Sequence, residues 1–194
     1  MVSSAERPLI LASASPRRAE LLASAGYHFV VDPADVDESE QPGESPAEYV
    51  LRVARDKART VAARRAANHG AVVLAADTTV VAGGALLAKP TDEADAVRML
   101  TLLAGTAHDV FTGVVLVKDG REAADVVHTR VHMASMTPAD IDWYVATGEA
   151  MGKAGAYGIQ GRAARFVERI EGSWSNVVGL PVAAVERLLK SLGA

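Results

Sequence analysis

The sequence predicts an α/β protein in which strands and capped helices alternate along the chain. Leu9 to Ala12 is a short apolar segment that leads, through a turn of small hydroxyl residues, directly into a helix. Ala71 to Ala76 is a continuous apolar run, which is typical of a strand covered on both faces. His108 to Val117 alternates as a strand does, and the turn Lys118 to Arg121 leads to a partner strand that ends near Met133. These patterns indicate a sheet with helices packed against it.

The length and charge of the chain limit the classes of protein to which it can belong. Its 194 residues fit one large or two small domains, and no composition break marks a linker, so we expect a single domain over residues 1–194. The formal charge of −4 argues against broad attraction to nucleic acid. No apolar run is long enough to cross a bilayer, and the first eight residues, MVSSAERP, lack a signal-peptide core. We therefore expect a soluble cytoplasmic protein that binds neither membranes nor nucleic acid.

The absence of cysteine limits the chemistry of any metal site. Disulfides and thiolate ligands are excluded, so a metal ion must be held by oxygen or imidazole ligands. Oxygen ligands favour hard cations such as magnesium or manganese.

The turn after the first strand has the features of an anion site. Ser13 and Ser15 supply donors, and Pro16 suits the first position of a helix that Ser15 caps. Arg17 and Arg18 follow in the first helical turn, which is the unfavourable end of the helix dipole for cations unless an anion lies beside them. The alternative is an ordinary capped helix with two solvated arginines.

Two acidic features stand out, and each has an ordinary alternative. Asp35, Asp37 and Glu38 lie in a polar loop, where acidic residues are usually just solvated. Asp77 follows the apolar run directly, where a carboxylate is costly unless it is ionised against a metal or another cation. Asp77 would be ordinary if it began a turn, but Thr78 to Val81 continue the strand.

Two lysines are candidates for contact with an anion. The capping box Ser45 to Glu48 begins a helix that we expect to reach about Asn68, with Gly70 as its stop. Lys57 interrupts the apolar stripe of this helix, so its ammonium either extends outward to solvent or faces a cleft and meets a phosphate. Lys89, next to Pro90, would by itself be an unremarkable surface lysine.

The remaining elements follow from caps and alternation. We expect Thr91 to cap a structural helix, residues 164–170 to form a strand, 172–179 a loop and 181–192 a closing helix. The lone His108 predicts a structural role, and His128 and His132, with no acidic partner at ligand spacing, are expected to face solvent. Residues 148–161 carry five glycines, which indicates a tightly bent backbone or a close approach to a ligand rather than a merely flexible loop.

Several of these segments together resemble the Maf family of nucleoside triphosphate pyrophosphatases. The matching motifs, in the family's order, are S-x-S-x-R-R at 13–18, R-x-K-A at 55–58, A-D-T-x-V at 76–80, K-P at 89–90, K-A-G-A-Y-G-I-Q-G at 153–161 and V-G-L-P at 178–181. The matches span Leu9 to Pro181. The resemblance implies an α/β fold of the Maf and inosine-triphosphatase type, with a long mixed sheet and two lobes around a central cleft.

The resemblance also implies an activity and its cofactor. Members hydrolyse nucleoside triphosphates to the monophosphate and pyrophosphate with a divalent cation, here magnesium, manganese or cobalt, and dimers are frequent among them. The implied roles are Ser13, Arg18, Lys57 and Lys89 for the phosphates, Glu38 and Asp77 for the metal, and Asp77 for catalysis. Arg17, Thr78 and Gln160 resemble the subgroup that acts on dTTP and UTP, and the Gln160 amide suits the edge of a pyrimidine because it both donates and accepts hydrogen bonds.

Two other functions are compatible with the same motifs. One is a sibling activity on 7-methyl-GTP or on non-standard purine triphosphates, with the same catalytic residues. The other is a nucleotide-binding regulator of cell division that does not need turnover. Intact Asp77, Glu38 and the two lysines favour an enzyme, because a protein that only binds has no need of a water-activating carboxylate.

Overall fold

A computed structural model of the chain describes residues 9–67 and 69–194. Two 3₁₀ helices, Ala154–Ala156 and Arg162–Phe166, accompany the main elements. The main elements are β1 (Leu9–Leu11), α1 (Pro16–Ser24), β2 (Phe29–Val31), α2 (Pro46–Arg64), β3 (Val72–Ala82), β4 (Ala85–Leu87), α3 (Glu93–Leu103), β5 (Ala107–Lys118), β6 (Arg121–Met133), α4 (Pro138–Val145), β7 (Val167–Glu171), α5 (Trp174–Val178) and α6 (Val182–Ser191).

The seven strands form one mixed sheet. Their order is β2-β1-β3-β5-β6-β7, and β4 pairs with β3 as a hairpin. β1 runs parallel to both β2 and β3, whereas the pairs from β3 to β7 are antiparallel. The predicted α/β fold with a long mixed sheet is therefore confirmed. In the part of the chain that the structure describes, no helix is long and apolar enough to span a membrane.

The apolar run that becomes β3 is covered on both faces, as expected. Val73 and Ala75 belong to the core under α2, together with Ala54, Ala58 and other residues of that helix. The alternating residue Leu74 belongs to the larger core on the opposite face. Because successive side chains of a strand point to opposite faces, two helical layers demand apolar residues at every position.

Helix α2 lies unusually close to the sheet at Gly113. Gly113 is the β5 partner of Asp77, and a Cβ atom added to it would lie 2.4 Å from the carbonyl oxygen of Val50. Because that neighbour is backbone, it cannot rotate away. Lys57 follows Val50 by about two helical turns, so the same close approach brings its side chain over Asp77.

The Gly113→Ala variant should therefore lose stability through overpacking, by about 3 kcal/mol. Gly120→Ala is the control, since a Cβ there meets no atom within 4 Å and the strain of its φ of +76° should cost only about 1 kcal/mol. Urea unfolding measures both variants. Equal losses would show that the contact between α2 and Gly113 is not tight.

Some predicted boundaries were wrong. Helix α2 ends at Arg64, short of the expected Asn68, which itself lies outside the described residues. Helix α3 is capped by Asp92 rather than Thr91, because the Asp92 carboxylate accepts the backbone N–H of Asp95. Both errors reflect how weakly sequence specifies helix ends.

Two predicted elements near the C-terminus also differ. The expected strand over 164–170 begins only at Val167, after the 3₁₀ turn Arg162–Phe166. The expected loop over 172–179 contains α5, whose cap is Ser173, a hydroxyl that accepts the N–H of Asn176. A single cap before five residues is too short a signal to separate a helix from a loop.

Candidate active site

A cleft of about 510 Å³ lies where β1 enters α1, beside the middle of β3. Its walls come from the β1–α1 turn, α2, β3 and the β4–α3 connection. Two further walls are the acidic loop, which carries Asp35, Asp37 and Glu38, and the glycine-rich segment, residues 148–161. All of the site residues expected from the sequence line it: Ser13, Arg17, Arg18, Glu38, Lys57, Asp77, Thr78, Lys89 and Gln160.

Lys57 joins the two carboxylates of the cleft. Its Nζ lies 2.7 Å from Oδ1 of Asp77 and 2.7 Å from Oε1 of Glu38. Lys57 and Asp77 are both buried, at 7% and 6% exposure. The ammonium therefore turns into the cleft, and the alternative in which it extends to solvent is wrong.

Glu38 is half-exposed at the open side of this bridge. Partial burial alone would raise the pKa of Glu38, but the hydrogen bond and charge of Lys57, with the charges of Lys89 and Arg18, outweigh it and lower the pKa. The carboxylate is therefore ionised at neutral pH. Within the acidic loop, Glu38 is a cleft residue, whereas Asp37 is exposed and bonds to Ser39.

Two residues of α2 hold the backbone of the acidic loop. The Tyr49 hydroxyl donates to the carbonyl of Glu38 at 2.9 Å, and Arg52 Nη2 donates to the carbonyl of Ser39 at 2.9 Å. Burial, with the charges of Asp77 and Glu38, raises the pKa of Tyr49 to about 12, so its hydroxyl stays protonated and can donate. Tyr49 was not predicted from the sequence, although its position on the same helix as Lys57 was a usable signal.

Arg18 is a buried arginine that organises the β1–α1 turn. Its Nη1 donates to Ser13 Oγ at 2.9 Å, its Nη2 to Thr78 Oγ1 at 3.2 Å and its Nε to the Gly179 carbonyl at 2.8 Å. Burial lowers the pKa of Arg18, and the charge of Asp77 opposes that effect. The alternative of a solvated arginine is therefore wrong for Arg18.

Ser15 and Arg17 differ from Arg18 in their contacts. Ser15 occupies the N-cap position of α1, but its side chain makes no capping hydrogen bond. Arg17 is partly exposed, and its Nη2 reaches the Gly152 carbonyl at 3.5 Å, across the cleft in the glycine-rich segment. Thr78 Oγ1 also lies 2.9 Å from Thr112 Oγ1, so Thr78 links β3 to β5 as well as to Arg18.

Lys89 and Gln160 both line the cleft with exposed side chains. Gln160 belongs to the glycine-rich segment, which also supplies Lys153 and Tyr157 to the cleft. Burial and the charge of Arg17 lower the pKa of Lys153, and the charge of Glu149 opposes that effect. Lys153 and Tyr157 were missed as cleft residues, although both stand within the matched K-A-G-A-Y-G-I-Q-G motif.

His108 supports the glycine-rich segment through a buried hydrogen bond to Tyr157. It is fully buried, its Nε2 is hydrogen-bonded to the Tyr157 hydroxyl at 2.8 Å, and burial lowers its pKa to about 4. The imidazole is thus neutral at physiological pH, and the predicted structural role agrees with these contacts. His128 is exposed as expected, but it does have an acidic partner, Asp109, on the neighbouring strand.

No group of three or more histidine or acidic side chains that could hold a metal ion occurs within residues 9–67 and 69–194. Glu38 and Asp77 are nevertheless two carboxylates whose oxygens converge on one point, the position of Lys57 Nζ. Magnesium is usually held in this manner, by one or two carboxylates together with substrate phosphates and water.

Comparisons with known proteins identify the family of this chain. Residues 8–192 match the family model described as Maf-like protein. A protein of Anaeromyxobacter dehalogenans (strain 2CP-C) named dTTP/UTP pyrophosphatase is 53% identical, over 95% of this chain and 94% of its own. A protein of the same name from Geobacter sulfurreducens is 50% identical, over 96% of this chain and 97% of its own. The solved Staphylococcus aureus Ham1 protein is only distantly similar, with 13% identity, a TM-score of 0.44 and coverage of 66% of this chain and 72% of its own. The match over nearly the whole chain shows that this protein belongs to the Maf family.

Proposed function

We propose that this protein hydrolyses dTTP and UTP to the nucleoside monophosphate and pyrophosphate. The observation that carries the proposal is the bridge Glu38–Lys57–Asp77, which lies in one cleft with the Ser13–Arg18 turn. Relatives of about 50% identity named dTTP/UTP pyrophosphatase support the choice of substrate.

The triphosphate fits the basic side of the cleft. The β1–α1 turn presents backbone N–H groups at a helix N-terminus, and Ser13 and Arg18 lie beside them. Lys89 and Lys57 add two ammonium groups on the other walls. We assign these four side chains to the phosphates, whose charge they neutralise before and during reaction.

We assign Glu38 and Asp77 to a divalent cation, because carboxylate oxygens are hard ligands and each of these side chains has a second oxygen besides the one that contacts Lys57 Nζ. Magnesium, manganese and cobalt all fit this pair. When bound, the cation would neutralise phosphate charge and make a water molecule more acidic.

Asp77 would accept a proton from the attacking water. The water oxygen forms a bond to the α-phosphorus as the bond from that phosphorus to the bridging oxygen breaks. Pyrophosphate leaves with the bridging oxygen, and the water proton passes to the Asp77 carboxylate. Lys57, hydrogen-bonded to Asp77, holds that carboxylate in place before the transfer.

Arg17, Thr78 and Gln160 would select the base. The Gln160→Glu variant should use dTTP and UTP about tenfold less efficiently, because a carboxylate cannot donate a hydrogen bond to a pyrimidine carbonyl. Steady-state kcat/KM on both substrates measures this. Gln41→Glu, the same substitution outside the cleft, is the control and should leave kcat/KM unchanged. An unaltered substrate profile for Gln160→Glu would refute its base-reading role.

Product analysis tests the proposal as a whole. Purified protein would be incubated with magnesium or manganese and, separately, with dTTP, UTP, CTP, 7-methyl-GTP and ITP. We expect pyrophosphate with dTMP or UMP. Release of single phosphate would contradict attack at the α-phosphorus. A preference for 7-methyl-GTP or ITP would indicate the sibling activity on purine triphosphates. Tight binding without turnover would favour a regulatory protein.

The homodimer, the cytoplasmic location and the absence of nucleic-acid binding remain predictions. Size-exclusion chromatography with light scattering measures the first directly. Dimers are the commonest homo-oligomers, which is consistent with that expectation.

A further inference from the structure

We propose that Glu149 is a positioning residue for base recognition, because its carboxylate fixes the backbone of the segment that carries Gln160. The inference rests on the proposed function, in which Gln160 contacts the pyrimidine. Glu149 itself does not line the cleft, and its carboxylate holds the segment at the backbone N–H and the guanidinium of Arg162.

The segment that carries Gln160 runs from Gly158 to Arg162, and Glu149 binds its far end with both carboxylate oxygens. Its Oε2 accepts the backbone N–H of Arg162 at 2.8 Å, and its Oε1 accepts from Nη1 of the same arginine at 3.1 Å. The backbone N–H of Glu149 in turn donates to the Thr147 hydroxyl at 3.2 Å. The Glu149 carboxylate is therefore a fixed acceptor for Arg162, the residue two positions after Gln160.

Gly161 shows how closely the segment approaches this carboxylate. A Cβ atom at Gly161 would lie 2.2 Å from Glu149 Oε2 and 3.0 Å from its Cδ. The φ of Gly161 is −103°, which is not a left-handed conformation. Glycine is therefore needed here because there is no room for a Cβ atom, and not because the backbone requires a conformation that only glycine adopts. The carboxylate could make room for a side chain only by leaving its hydrogen bond to Arg162.

The near end of the segment is fixed as well. The backbone N–H of Gly158 donates to the Tyr144 hydroxyl at 3.1 Å. Gln160 is exposed and lies midway between two fixed backbone N–H groups. Tyr144 holds the N–H two residues before it, and Glu149 holds the N–H two residues after it. Such restraint reduces the entropy that Gln160 would otherwise lose when it binds a base.

The catalytic groups depend on other elements. Asp77 belongs to β3, Lys57 to α2 and Arg18 to α1, and their contacts do not involve Glu149. Loss of the Glu149 carboxylate should therefore weaken recognition of the base more than the chemical step. A residue that only stabilised the fold would affect all substrates equally.

The experiment compares kcat and KM for dTTP, UTP and dCTP in three variants. Glu149→Ala should raise KM for dTTP and UTP about tenfold, keep kcat within about twofold, and reduce the preference for dTTP over dCTP about tenfold. Glu149→Gln should restore most of the preference, because its amide oxygen can still accept from the Arg162 backbone. Arg162→Ala, which removes only the ion pair, should behave nearly as the wild type.

Equal changes for dTTP and dCTP in Glu149→Ala would overturn the inference. If that variant fails to fold, Gly161→Ala tests the same contact, since its methyl group displaces the carboxylate while Glu149 stays in the chain. An unchanged dTTP preference in Gly161→Ala would also overturn it. If Gln160→Glu alters the substrate profile and the Glu149 variants do not, only this inference fails; if Gln160→Glu also has no effect, base reading by this segment fails.

Discussion

Asp77→Asn should lower kcat on dTTP by about a thousandfold while nucleotide binding is retained. Asparagine has nearly the same shape, so β3 and the core around it stay packed, but an amide cannot take the proton of the attacking water. The measurement pairs steady-state turnover with calorimetric binding of a dTTP analogue whose α,β-bridging oxygen is replaced by nitrogen.

Asp109→Asn is the matched control for this prediction. Asp109 lies on the neighbouring strand β5, outside the cleft, and pairs with the exposed His128. Its turnover should equal that of the wild type. Unimpaired turnover in Asp77→Asn would remove Asp77 from the mechanism, whereas loss of both binding and turnover would assign it to binding alone.

Lys57→Met should lose about 3 kcal/mol of unfolding free energy as well as most of the activity. Methionine fills the space of the lysine stem, but it leaves the buried Asp77 carboxylate without the ammonium that lies 2.7 Å away. Removing one partner of a buried ion pair costs more than the pair contributes, because an uncompensated charge remains. Urea denaturation measures the loss of stability.

Added manganese should restore part of this stability in Lys57→Met, since a cation bound between Glu38 and Asp77 would replace the missing charge. Lys89→Met is the control, because Lys89 lines the same cleft but is exposed, and its stability should change by no more than about 0.5 kcal/mol. Equal stability of the two variants would contradict a structural role for the Lys57 bridge.

The site residues were predictable where the cost of burying a charge is visible in the sequence. Asp77 follows a run of apolar residues, and Lys57 interrupts an apolar helical stripe, so each breaks a periodic pattern that the core requires. Arg18 breaks the charge preference of a helix N-terminus. Each violation marked a side chain with a partner elsewhere in the fold.

Residues without such a violation were not predictable. Tyr49 is a partly buried residue near the start of α2, and Glu149 follows an ordinary helix end, so neither conflicts with its local pattern. The same holds for His128, whose acidic partner Asp109 is 19 residues away and comes within reach only because the register of β5 and β6 places Phe111, two residues from Asp109, opposite His128.

By itself, the sequence determined the alternation of strands and helices, the two-sided burial of β3, the helix cap at Ser45, and the residue types available to the cleft. Only the tertiary structure decided which groups meet. Arg18 reaches a carbonyl 161 residues away, and Lys57 reaches a carboxylate 20 residues away rather than turning to solvent. The physical reason is that periodicity and capping act within one element, whereas a hydrogen bond of 2.7 Å depends on how closely α2, Gly113 and β3 pack.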